Sequence, residues 1–148
     1  MSLVKVLIVD DQEPFRRAAS AVVGALEGFE VVGGAESGED SIAAVTRLRP
    51  DLVLMDVNLS GMHGMNGMAA TRRIRELVPS TVVVLLSTYD RAEYGAEADE
   101  CGAVAFLAKS ALDGDAVLRA WNTRRASEWD VDSQRGHTGG LGDLGPTS

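Results

Sequence analysis

Val4-Lys5-Val6-Leu7-Ile8-Val9-Asp10-Asp11 is an almost unbroken apolar run that ends on two adjacent carboxylates. Three further runs follow the same plan. Leu52-Val53-Leu54-Met55 ends on Asp56, Val82-Val83-Val84-Leu85-Leu86 on Ser87, and Val104-Ala105-Phe106-Leu107-Ala108 on Lys109. Short runs rich in Val, Leu and Ile read as strands buried on both faces, as in a parallel sheet. Open α/β sheets bind ligands outside the carboxyl ends of their strands. The pattern therefore predicts one crevice shared by three carboxylates, a hydroxyl and an ammonium. Such a set suits a divalent metal and a phosphoryl group.

The segments between these runs keep a three-to-four spacing of apolar residues and predict helices. The first extends from about Glu13 to Leu26 on Phe15, Ala19, Val22, Val23 and Leu26, with Asp11 as N-cap and Pro14 in its first turn. Phe29 to Val32 reads as a strand closed by Gly33-Gly34. Ser37 or Gly38 opens a second helix on Ile42, Val45 and Leu48, which Pro50 stops. After Asp56 comes a glycine-rich loop, Asn58 to Gly67, then a helix from about Met68 to Leu77. A polar helix from Arg91 to Glu100 follows the fourth strand, and a last helix extends from Asp113 to about Arg125. Five strands alternating with five helices call for an α/β fold with a doubly wound five-stranded parallel sheet.

Bulk composition narrows the function. A chain of 148 residues that is 45% hydrophobic suits a single core, here residues 1–125. The net charge of −8 argues against direct nucleic-acid binding, because phosphate backbones attract basic surfaces. Cys101 is the only cysteine, so an internal disulfide or cysteine zinc cluster is excluded. His63 and His137 lack metal-site spacing. No run is long enough to span a bilayer and the start lacks a signal peptide, so a cytoplasmic location is expected. From Ala126 the chain turns glycine-rich and loses periodicity, which predicts a flexible, disordered tail over 126–148.

Taken in order, these stretches resemble the receiver domain of two-component response regulators. Leu7 to Arg17, Pro50 to Leu59, Gly64-Met65-Asn66-Gly67 with Thr71 to Arg75, Leu85 to Thr88, and Gly102 to Ser110 carry the resemblance, over roughly residues 3 to 125. It implies a (βα)5 flavodoxin-like fold with strand order 2-1-3-4-5. It also implies Mg²⁺ ligated by Asp11, Asp56 and the backbone carbonyl of Asn58, with Asp10 acting through water. Asp56 would accept a phosphoryl group from a sensor histidine kinase or phosphotransfer protein, and Lys109 would neutralise charge on the transferring group. Ser87 would be the switch hydroxyl and Phe106 the aromatic that follows it. The output surface would be the helix after Ser87, the last strand and the last helix. The resemblance allows homodimerisation on phosphorylation and leaves the output protein unidentified.

Plainer readings compete at each position. Asp10-Asp11 alone suits a helix cap with a favourable dipole charge. Phe106 reads equally as a core aromatic, Cys101 as a small apolar filler and Trp121 as an anchor for the last helix. Thr88 rivals Ser87 for the hydroxyl role. Arg72, Arg73 and Arg75 read as a solvated helix face.

Two departures from the family pattern stand out. Ser60 replaces the usual loop proline, and about three extra residues fall around Gly61-Met62-His63, an insertion expected to alter access to Asp56. Asn58 and Tyr89 occupy positions that tune acyl-phosphate lifetime in receivers. Nothing after Arg125 has the periodicity of a helix-turn-helix, so the chain reads as a stand-alone receiver or as a fragment of a DNA-binding regulator. A Mg²⁺-dependent aspartyl-phosphate phosphatase is the enzymatic rival. It is weakened by Asp56-Val57-Asn58, where such enzymes carry a second acid. The receiver reading makes the chain a signalling domain that catalyses only its own phosphorylation and dephosphorylation.

Overall fold

The computed structural model describes residues 3–59, 65–88 and 96–123. Five strands lie in these segments: β1 (Val4–Val9), β2 (Phe29–Ala35), β3 (Leu52–Asp56), β4 (Val82–Ser87) and β5 (Ala105–Ala108). They alternate with helices α1 (Glu13–Gly24), α2 (Gly38–Leu48), α3 (Gly67–Leu77), α4 (Ala96–Glu100) and α5 (114–123). The sheet is wholly parallel, in the expected order β2-β1-β3-β4-β5. Starting at β1, the chain winds one way to β2 and then back past β1 to β3, β4 and β5. The reversal leaves a crevice beyond the β1 and β3 carboxyl ends.

Alternate strand residues feed two cores, one on each face. Leu7, Val9, Val53, Met55, Val83 and Leu85 pack with Ala44, Val45, Ala70, Ile74, Ala98 and Cys101 under α2, α3 and α4. Val6, Ile8, Leu52, Leu54, Val84 and Leu86 pack with Ala19, Val23, Val117 and Ala120 under α1 and α5. Trp121 anchors α5 by an edge-on contact with Phe29, ring centroids 6.3 Å apart. Cys101 is buried just past α4, as its apolar reading anticipates.

Several expectations need correction. Strand β5 is only half-buried, because an edge strand has one neighbour and its last residue faces solvent. Strand β2 continues through Gly33-Gly34 to Ala35. Its register slips at Val6/Leu7, so Val32 is an extra residue and the glycines pair with Leu7 and Ile8. Helix α1 ends at Gly24, two residues early, and its N-cap is Gln12 without a side-chain cap. Asp11 does not cap it. Helix α2 does begin at an N-cap, Ser37, whose side chain accepts from the Asp40 amide, and it stops at Arg49 ahead of Pro50.

Arg72 and Arg73 are solvated and pair with Glu97 and Glu76, but Arg75 folds back to donate to the Thr81 carbonyl at 2.7 Å. The insertion at Gly61-Met62-His63, Ser60, Tyr89, the start of the polar helix at Arg91, His137 and the tail from Ala126 lie outside the described residues. No helix among the described residues is long and apolar enough to cross a membrane.

The contrast between central and edge strands gives a stability prediction. Leu54→Ala in fully buried β3 should cost about 3 kcal/mol in chemical denaturation, and Leu107→Ala in β5 about 1 kcal/mol.

Candidate functional site

Four strand ends meet at one edge of the sheet. Asp10 directly follows β1; its amide donates to the Ala35 carbonyl of β2 at 3.0 Å, and its Oδ1 accepts from the Gln12 amide at 2.8 Å. Asp56 is the last residue of β3, and its Oδ1 accepts from the Asn58 amide at 3.0 Å. The register pairs Asp56 with Leu86 and Ser87 with Ala108. Ser87 and Lys109 therefore follow at the same edge. Lys109 opens a 3-10 turn, Lys109–Ala111, that carries it over the crevice.

One carboxylate oxygen from each of Asp10, Asp11 and Asp56 lies within 4.8 Å of the others. Asp10 and Asp56 are buried, at 0% and 2% exposure, and Asp11 is half-buried. The Lys109 ammonium lies 2.5 Å from Asp10 Oδ2 and 3.4 Å from Asp56 Oδ2. Asp10 Oδ2 is fully buried, and the ammonium is its charged partner. The ammonium also sits over the Phe15 ring, 4.7 Å from its centroid, a cation–π contact.

These surroundings shift two protonation equilibria. Burial pushes the Asp56 carboxyl above its ordinary value of 3.8. The nearby Asp10 charge adds to the rise, while the Asn58 amide and Lys109 oppose it. Burial alone would lower Lys109, but its contact with Asp10 and the charges of Asp56 and Asp10 outweigh that and hold it above the ordinary lysine value. Its partners thus favour the charged form of Lys109, while burial works against the charge on Asp56.

Of the residues expected here, Asp10, Asp11, Asp56 and Lys109 come together, with Asn58 touching Asp56 through its amide. Ser87 is fully buried whereas Thr88 is exposed, which favours Ser87 as the site hydroxyl. Phe106 pairs with Leu85 in the sheet and packs, partly buried, against the core under α2 to α4.

Sequence reading missed two contributors. Phe15 reads as an ordinary apolar position of α1, yet it supports Lys109. Gly67 is quoted only within a loop motif. An added Cβ there would fall 2.1 Å from the Asp56 carbonyl oxygen and 2.9 Å from Val57 Cα. The Gly67 amide instead donates to the Val57 carbonyl at 3.0 Å. The start of α3 thus lies directly on the backbone that presents Asp56. A glycine directly before a helix of this spacing was the available signal.

Fold and site together define a flavodoxin-like α/β protein whose carboxyl-edge crevice is built from carboxylates and one lysine. Residues 6–120 match the family model of the response regulator receiver domain, and the chain belongs to that family. The transcriptional regulatory protein DegU of Brevibacillus brevis is 33% identical over 117 residues, covering 79% of this chain and 48% of that protein. A protein-glutamate methylesterase/protein-glutamine glutaminase of Geobacter metallireducens is 43% identical over 107 residues, 71% of this chain and 30% of the relative. Among solved structures, the signal receiver domain of a NarL response regulator from Mycobacterium tuberculosis superposes with a TM-score of 0.73 at 27% identity. That match covers 80% of this chain and 96% of the other. The chain spans half or less of the length of these two curated relatives. Their names denote different outputs, so what they share with this chain is the receiver, a signalling domain.

Two predictions follow from the geometry. Gly67→Ala must move β3's end or α3 and should cost about 2–3 kcal/mol, read by denaturation. The raised Asp56 value means that ionising it costs the fold stability. That cost is absent below pH 3.8, grows as pH rises toward the folded value and is complete above it. In metal-free buffer, Asp56→Asn should therefore raise the melting temperature at neutral pH, and the gain should vanish in acid.

Proposed function

We propose that Asp56 accepts a phosphoryl group from a phosphohistidine of a sensor kinase or phosphotransfer protein in a Mg²⁺-dependent reaction, and that this switches a protein-binding surface. The observation that carries the reading is the meeting of Asp10, Asp11, buried Asp56 and Lys109 within one crevice.

The residues fit Mg²⁺. The donor set is all oxygen, as a hard cation requires, with one carboxylate oxygen from each of three aspartates within 4.8 Å of the others. Asp11, Asp56 and the Asn58 carbonyl would hold the ion directly, with Asp10 acting through water. When bound, Mg²⁺ supplies positive charge to the carboxylates and to the transferring group.

The chain's own groups divide the remaining work. An Asp56 oxygen attacks phosphorus as the phosphorus–nitrogen bond to the donor imidazole breaks, and the imidazole leaves with the bonding electron pair. Oδ1 is turned by the Asn58 amide while Oδ2 faces Lys109, so the nucleophile is oriented before the donor arrives. The Lys109 ammonium, held by Asp10 and Phe15, meets the negative phosphoryl oxygens. The acyl phosphate adds a charge of about −1.5 to −2 at the sheet edge. Ser87 then donates its hydroxyl to a phosphoryl oxygen, and its loop and Phe106 move with it. The readout surface is α4, β5 and α5, taken up by an output protein or a second copy of the chain.

Intact-mass measurement with a small acyl-phosphate donor tests this reading. The parent should gain one phosphoryl group only with Mg²⁺, Asp56→Asn should gain none, and Lys109→Met should react about a hundredfold more slowly. A gain that persists in Asp56→Asn, or no gain with any donor, would overturn it.

A further inference from the structure

Arg16 and Arg17 are neighbours in sequence with opposite fates. Arg17 is largely exposed and pairs with Glu13 one turn back on α1. Arg16 reaches out of the helix instead, and its Nη1 donates to the backbone carbonyl of Asp10 at 2.7 Å in a partly buried setting. Its own amide bonds the Gln12 carbonyl at 3.1 Å, so one residue secures both the first turn of α1 and the strand end before it.

We infer that Arg16 is a positioning residue for the acidic site: through the Asp10 carbonyl it fixes how Asp11 enters the cation-binding crevice. The inference rests on reading Asp10, Asp11 and Asp56 as a Mg²⁺ site. Asp10 is otherwise held by its amide, which donates to Ala35, and by its carboxylate, which accepts from the Gln12 amide and pairs with Lys109. None of these contacts sets the plane of the Asp10–Asp11 peptide bond. That peptide is rigid and planar, so orienting its carbonyl also orients the direction in which Asp11 leaves the strand. A guanidinium is a charged, forked donor, better suited than water to hold a carbonyl still against three repelling carboxylates.

Arg16 also lines an open cleft of about 340 Å³ between α1 and β2, with Glu13, Arg17, Ser20, Val31 and Gly34 among its walls. The guanidinium position is therefore reachable from solvent. Removing the side chain would leave room for a small cation of the same shape.

The test measures Mg²⁺ affinity on the full chain from the metal-dependent rise in melting temperature, independently of phosphorylation. Arg16→Met should weaken Mg²⁺ binding about tenfold, the lower end of what outer supports of metal ligands contribute. Arg17→Met should leave it unchanged and Arg16→Lys should fall between. In Arg16→Ala, millimolar guanidinium should restore the affinity, and it should do nothing for the parent. Arg16 variants that lower the metal-free melting temperature but bind Mg²⁺ like the parent, with no guanidinium rescue, would overturn the inference and leave Arg16 a structural strut. No metal-dependent rise in the parent would overturn the metal-site reading itself, and this inference with it.

Discussion

The structure turns on a repulsion. Two carboxylates that water scarcely reaches, Asp10 and Asp56, share a crevice with a third, Asp11. At an effective dielectric of about 20, two full charges at the 4.8 Å limit of the cluster repel by roughly 3.5 kcal/mol. Among the described residues, one ammonium, Lys109, opposes three such charges. The cluster is therefore short of positive charge, and in the proposed function that deficit is what draws in a cation and a phosphoryl group with it. A fully neutralised crevice would be more stable and would do nothing.

The rest of the fold serves to hold these charges where they would not gather unaided. The central strands β1, β3 and β4 are buried on both faces over most of their length, so their ends cannot move without disturbing two cores. Helix α1 starts immediately beyond the acid pair and returns Phe15 to Lys109 and Arg16 to Asp10. Helix α3 presses its first residue against the Asp56 backbone, a contact that only glycine permits. By contrast β5, which delivers Lys109 and Phe106, is a half-buried edge strand. The rigid part of the sheet carries Asp10, Asp56 and Ser87, and the less constrained edge carries Lys109 and Phe106.

The architecture was legible because apolar runs of four to six residues, each ending on a polar group, repeat between helical spacings. That pattern gives strand identity, strand order by family resemblance, and the residues at the carboxyl edge. Boundaries were less legible. The Gly33-Gly34 pair reads as a strand stop, yet pairing with Leu7 and Ile8 carries β2 through it. Asp11 reads as a helix cap, but its carboxylate joins the acidic cluster while Gln12 takes the cap position. Edge burial cannot be read from composition, since Val104 to Ala108 is as apolar as the central runs. The supports contributed by Phe15 and Arg16 were also out of reach. Each acts through a contact between elements, and no local pattern distinguishes an aromatic over an ammonium from one in a core.

Curated relatives that share this domain carry names for quite different outputs. A receiver can serve them all because its switch is driven by charge at one edge and read from whichever surface follows. The most direct test of the charge-deficit account is a carboxyl-carbon NMR titration of Asp56 with and without Mg²⁺. Without metal, Asp56 should titrate above the ordinary aspartate value of 3.8, and saturating Mg²⁺ should move its titration to lower pH. An Asp56 that titrates at the ordinary value and ignores Mg²⁺ would contradict the account.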